Sequence, residues 1–132
     1  MIKIDHLALW CDDIEKMREF YMKYFNCTSN AKYYNPKKQF SSYFLSFEEG
    51  DCRIELMNRK DIDDEPTKRG FMKGIAHFDI EVRDKKKVDS LYKELEQDGY
   101  TIASQPRVTG DGYYELAVLD PEGNYVEISA EK

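Results

Sequence analysis

The chain is 132 residues long, 35% of them Asp, Glu, Lys or Arg, with a formal net charge of −6 at pH 7. That length buries one sizeable core, and an acidic balance with basic residues scattered among acids excludes a nucleic-acid-binding surface. No apolar run approaches the roughly 20 residues of a bilayer-spanning helix, and the opening MIKIDHLALW lacks a signal peptide's basic-then-apolar order, so a cytoplasmic protein with no membrane partner is expected. Cys11, Cys27 and Cys52 form no CxxC pair. They read as reduced packing residues rather than as a disulfide framework or a thiolate zinc site.

In chain order, Ile2 to Trp10 alternates as a strand. The pair Asp12-Asp13 then caps a helix with apolar positions at Ile14, Met17, Phe20, Tyr21 and Tyr24. Strands are predicted at Ala31–Tyr34, Ser42–Phe47 and Arg53–Met57, separated by the turn compositions NPKKQ and EEGD. The stretch NRKDIDDEPTKRG is charged, has no apolar period and reads as a connector. The order then begins again. GIAHFDIEV is a strand, and Asp84 caps a helix carrying Val88, Leu91, Tyr92 and Leu95 that ends at Gly99. Strands follow at Thr101–Ser104, Tyr113–Leu119 and Asn124–Ser129, the last two joined by DPEGN. The chain therefore reads as an α+β protein of two βαβββ modules, about 1–60 and 73–132, whose curved, half-open mixed sheets form one cup-like domain with the helices outside.

The only two histidines, His6 and His77, each lie in the first strand of one copy. A histidine in such a strand is ordinarily structural, and a lone Glu on a strand face is ordinarily solvated. The repeat changes that reading. RIELM places Glu55 between Ile54 and Leu56 as NYVEIS places Glu127 between Val126 and Ile128, and the His-to-Glu separations are 49 and 50 residues. Strand parity turns all four polar residues away from the helix-packed face. Two imidazoles and two carboxylates in a shared hollow suit a divalent metal with positions left open for substrate.

His6 in DHLAL, Glu55 in RIELM, His77 in IAHFDIEV and Glu127 in LDPEGNYVEI resemble the motif residues of the vicinal-oxygen-chelate superfamily over nearly the whole chain, and within it those of glyoxalase I. The DPxGN-x-x-E ending marks only the superfamily. The second carboxylate, Glu55, makes the set similar to the His-Glu-His-Glu tetrad of glyoxalase I enzymes. The resemblance implies one divalent ion per site, nickel or cobalt ahead of zinc. It also implies isomerisation of a 2-oxoaldehyde–thiol hemithioacetal, such as that of methylglyoxal, to a 2-hydroxyacyl thioester. Glu127 would be the first choice of base, with Glu55 as its partner. Where the family commonly has an arginine that holds a glutathione carboxylate, this chain has Trp10. Trp10, Arg53 and Arg107, the last in the loop QPRVTGDG, are the candidate substrate-binding residues, each with an ordinary structural or surface role as the alternative. An acyl-CoA epimerase and a non-catalytic drug-binding module of the bleomycin-resistance kind are the competing readings. Long open sheet edges and the habit of the superfamily predict a homodimer.

Overall fold

A computed structural model describes residues 1–131, in which two helices and nine strands form two mixed sheets. The chain divides into two compact units, 1–64 and 65–132. In the first, β1 (His6–Trp10) leads to α1 (Ile14–Phe25), the short β2 (Thr28–Ser29) and β3 (Tyr33–Asn35), then β4 (Phe40–Ser46) and β5 (Arg53–Arg59). The second runs β6 (Phe78–Val82), α2 (Lys85–Gln97), β7 (Ile102–Val108), β8 (Tyr114–Leu119) and β9 (Tyr125–Ala130). The sheet orders correspond: β1-β5-β4-β2 with β3 also on β4, and β6-β9-β8-β7. In each unit the first strand is parallel to the last, which is antiparallel to the strand before it.

The helices begin where the acids predict. Asp13 accepts from the amides of Glu15 and Lys16, both at 3.1 Å, and Asp84 accepts from the amide of Lys87 at 2.9 Å, satisfying donors that a first turn leaves orphaned. At the end of α2, Gly99 (φ +89°) takes the left-handed conformation, the Tyr100 amide reaches Leu95 O, and the Gly99 amide reaches Glu96 O. This is a Schellman stop. The faces so fixed are apolar at helical spacing: Ile14, Met17, Phe20, Tyr21 and Tyr24 of α1 are buried, as are Val88, Leu91 and Leu95 of α2. Leu45, Ile54 and Leu56 of the first unit's sheet are buried with them, as are Leu116, Val118, Val126 and Ile128 of the second. Burial of this kind stabilises by about 1.5–3 kcal/mol per large side chain.

Strand lengths differ from the sequence reading because a strand needs a partner. β1 starts at His6 rather than Ile2, since its parallel neighbour β5 starts at Arg53, registered opposite His6; Ile2 and Ile4 remain exposed. β6 starts at Phe78, opposite Val126 near the start of β9, which leaves His77 one residue before its strand. β7 runs on through Pro106 to Val108, so Arg107 lies on a strand and not in a loop. Proline is tolerated there because β7 is an edge strand whose pairing with β8 shifts register between Ser104 and Arg107.

The connector is more structured than its composition suggests. Pro66–Lys68 form a 3-10 turn, the Arg69 guanidinium donates to Glu122 O, and the Phe71 ring meets the Tyr125 ring edge to face at 5.4 Å. Gly70 sits between them at φ +83°, where a Cβ would lie 3.1 Å from Ala76 O and 3.2 Å from Tyr125 Cδ1. Gly70→Ala combines left-handed strain with a backbone collision, so we expect a loss of about 1–3 kcal/mol. A urea midpoint equal to that of the unsubstituted chain would refute this packing.

Candidate metal centre

In the first unit, His6 opens β1 and Glu55 lies in β5, registered opposite Ala8. Alternation puts His6, Ala8 and Trp10 of β1 on the exposed face while Ile54 and Leu56, flanking Glu55, are buried. His6 Nε2 lies 3.6 Å from Glu55 Oε1. Its other nitrogen, Nδ1, is 2.8 Å from Asp5 Oδ2, which also accepts from Arg53 Nη2 at 2.8 Å. With Nδ1–H donating to Asp5, the Nε2 lone pair faces Glu55, as a ligating imidazole requires. The His6 hydrogen bond and then the Arg53 guanidinium hold the Asp5 carboxyl below its usual range. The His6 ring meets Phe44 edge to face at 5.3 Å.

The second unit repeats the arrangement. His77 precedes β6, and Glu127 of β9 is registered opposite Asp79, two residues after His77, as Glu55 is opposite Ala8, two residues after His6. His77 Nε2 lies 3.1 Å from Glu127 Oε1. The side chains of Glu55 and Glu127 are 16% and 28% exposed, and those of His6 and His77 are 38% and 46%, so all four are reachable by ligand and none is in the core. Two donors each about 2.1 Å from one ion stand roughly 3.0–3.4 Å apart. The 3.1 Å separation of His77 and Glu127 falls in that range and the 3.6 Å of His6 and Glu55 is slightly wider; the pairing of imidazole nitrogen with carboxylate oxygen suits a divalent cation.

The symmetry stops at two residues that the sequence reading did not single out. Where the first unit has Ala8 and Ser42, the second has Asp79 and Glu115, and these with Glu127 offer carboxylate oxygens within 4.8 Å of one another. Ser129 Oγ donates to Asp79 at 2.6 Å. Desolvation chiefly, then the nearby Glu127 charge, pushes the Asp79 and Glu115 carboxyls above their usual range. A signal was present, because Asp79 shares strand parity with His77 and Glu115 is two residues from Ala117, the β8 partner of Glu127.

The sign of the pH effect follows. A carboxyl whose folded pKa is raised binds its proton more tightly when folded, so its contribution is complete below the unfolded value and is lost as pH rises through the folded one. In chelator-treated protein the contribution of Asp79 and Glu115 to thermal stability should therefore fall as pH rises above about 4, the ordinary carboxylate value, while Asp5, held below its usual range, contributes with the opposite sign. Asp79→Asn keeps an oxygen for Ser129 but removes one charge, and should raise the midpoint more at neutral pH than at about pH 4. An equal shift at both pH values would show that Asp79 carries no raised carboxyl.

The remaining candidates lie on the same faces. Trp10 ends β1, exposed, with the Arg59 guanidinium 5.2 Å from its ring and Phe40 edge-on at 6.2 Å. Arg53 is registered opposite His6 and lies over Phe44 at 4.2 Å as well as meeting Asp5. Arg107 is registered opposite Glu115, whose upward pKa shift its charge only partly offsets, and its Nε donates to Ser104 Oγ at 3.2 Å.

A sequence model described as the Glyoxalase/Bleomycin resistance protein/Dioxygenase superfamily matches residues 3–128. The chain belongs to this superfamily. Solved structures share its fold at low identity. The trypanothione-dependent glyoxalase I of Leishmania major is 18% identical with a TM-score of 0.76, over 99% of this chain and 88% of that one. A glyoxalase/bleomycin resistance protein/dioxygenase domain from Frankia sp. EAN1pec is 14% identical with a TM-score of 0.81, over 100% and 99%. Glyoxalase I of Zea mays is 20% identical with a TM-score of 0.78, and this chain covers 46% of it. No curated protein matches the sequence. Among the described residues no helix is long and apolar enough to cross a membrane.

Proposed function

We propose that this superfamily member is a metal-dependent lyase of the glyoxalase I kind, converting the hemithioacetal of a 2-oxoaldehyde and a thiol into a 2-hydroxyacyl thioester. The observation that carries the reading is the repeated His–Glu pair, 3.6 Å apart in one unit and 3.1 Å in the other at corresponding register positions. His6, Glu55, His77 and Glu127 would hold one divalent ion, nickel or cobalt ahead of zinc. When bound, such an ion supplies Lewis acidity to two vicinal oxygens of the substrate.

The chain's own groups do the rest. Glu127, fixed in β9 between the buried Val126 and Ile128, takes the proton from one substrate carbon. Glu55, the second carboxylate, takes the hydroxyl proton of that carbon and delivers it to the adjacent carbon, while Glu127 gives its proton to the adjacent carbon's oxygen, so both carboxylates end as they began. Asp5 fixes the tautomer and angle of His6, and Arg53 in turn holds Asp5. Trp10 offers the substrate an apolar wall, and Arg107 offers positive charge beside Glu115. We further propose that the two units act as one functional domain in a cytoplasmic homodimer, a compartment that suits the free cysteines Cys11, Cys27 and Cys52.

The test is turnover by metal-loaded protein of a panel of methylglyoxal hemithioacetals, acyl-CoA esters and fosfomycin. The proposal expects thioester from at least one hemithioacetal. Epimerisation of an acyl-CoA ester with no hemithioacetal consumed would overturn it in favour of the epimerase.

A further inference from the structure

Glu55 and Arg59 share one face of β5, four residues or about 13 Å apart at the ordinary strand rise, and Trp10 stands in the same relation to His6 on β1. At that far end the β3–β4 turn carries Lys37 and Lys38, set by the Lys38 amide donating to Asn35 Oδ1 at 3.3 Å and by Gln39 in the left-handed conformation at φ +50°. With Gln39, Arg59, Lys60 and Asp61, the two lysines line an open pocket of about 490 Å³. Four cations meet one carboxylate there, in a chain with a formal net charge of −6. Asp61 is taken by Arg59, whose Nε donates to it at 2.5 Å, so the lining offers no carboxylate to the three ammonium groups. Outside that lining, the Arg59 guanidinium lies over Trp10, whose ring meets Phe40, which in turn meets Tyr33.

We infer that this pocket binds a phosphate or pyrophosphate group on the tail of the substrate, so that the thiol carrier is a phosphorylated one. That the reacting carbons lie at the Glu55 end rests on the function proposed above; the affinity of the pocket for phosphate does not. A single carboxylate would use one of these cations. A phosphoryl group, with about −1.5 to −2 charges and three acceptor oxygens, uses the cluster. Arginine's planar fork suits its oxygens, and the adjoining rings suit a flat or apolar group attached to it.

Trp10 is the only tryptophan and its ring lies 5.2 Å from the Arg59 guanidinium of the pocket lining, so its fluorescence reports a ligand that engages Arg59. The full chain is titrated with inorganic pyrophosphate and with ADP, alongside the Lys37→Glu/Lys38→Glu and His6→Ala chains. Both lysines are exposed turn residues, so charge reversal leaves the fold intact. We expect a saturable signal with both probes, weakened at least about tenfold by charge reversal, as loss of charge-assisted contacts predicts, and unchanged in His6→Ala. Charge reversal should also raise KM for a phosphate-bearing thiol adduct by a similar factor with kcat held. No saturation below about 10 mM, equal affinity in the charge-reversed chain, or loss of binding in His6→Ala instead would overturn the pocket. Probe binding with KM unmoved would overturn its role in the substrate tail. Because binding is read without turnover, a negative hemithioacetal panel leaves this result standing.

Discussion

A metal-loaded Glu127→Gln chain should turn over its best hemithioacetal about a hundredfold more slowly, or worse, than the unsubstituted chain, the usual worth of a positioned base. The substitution keeps the shape of the side chain and an oxygen able to ligate, and it removes the basicity. Glu127 lies on the open face of β9, so Val126 and Ile128 stay buried and the chain should unfold at a similar midpoint. Metal affinity should fall less than turnover, because one oxygen donor remains. Near-normal turnover in a metal-loaded Glu127→Gln chain would make the residue a ligand only and move the base to Glu55.

The second large effect concerns the ion. His6→Ala should abolish stoichiometric retention of nickel or cobalt, and turnover with it. Asp5→Asn is the informative comparison, because Asp5 touches the imidazole through Nδ1 and also meets Arg53. Losing such an outer partner ordinarily costs about 10–100-fold in metal affinity, so the Asp5→Asn chain should bind weakly and recover activity at high metal concentration. His6→Ala should not recover. Equal metal affinity in all three chains, measured by competition with a chromogenic chelator, would remove His6 from the ligand set.

The two helices were legible in the sequence because Asp13 and Asp84 mark their starts and because Met17, Phe20, Val88 and Leu91 fall at helical spacing. The His–Glu pairs were legible because the repeat places them equivalently and strand parity assigns their face. Strand ends were less so: β1 and β6 begin where β5 and β9 offer backbone partners, and pairing between segments some 50 residues apart leaves no local trace. The β7 sequence signal ends at Ser104, because a proline such as Pro106 suits a strand only at a sheet edge. Gly70 falls in the charged connector with no local sign of its packing, since its close approach to Tyr125 depends on a contact across more than 50 residues. Arg59 lies in the charged run NRK, and its place beside Trp10 is visible only once β1 and β5 are known to be parallel neighbours. Asp79 and Glu115 carry no distinctive sequence signal, because an acidic residue on an open strand face is ordinarily solvated.

Those two acids sharpen the central question, which is whether one ion takes both imidazoles or is captured by the carboxylates around Glu127. X-ray absorption at the metal edge of nickel- or cobalt-loaded protein, with metal content determined on the same sample, counts the imidazoles bound to each ion. We expect one ion per site with two imidazole nitrogens and carboxylate oxygen. An ion bearing a single imidazole among oxygens, or protein that retains none of the metals offered, would contradict it.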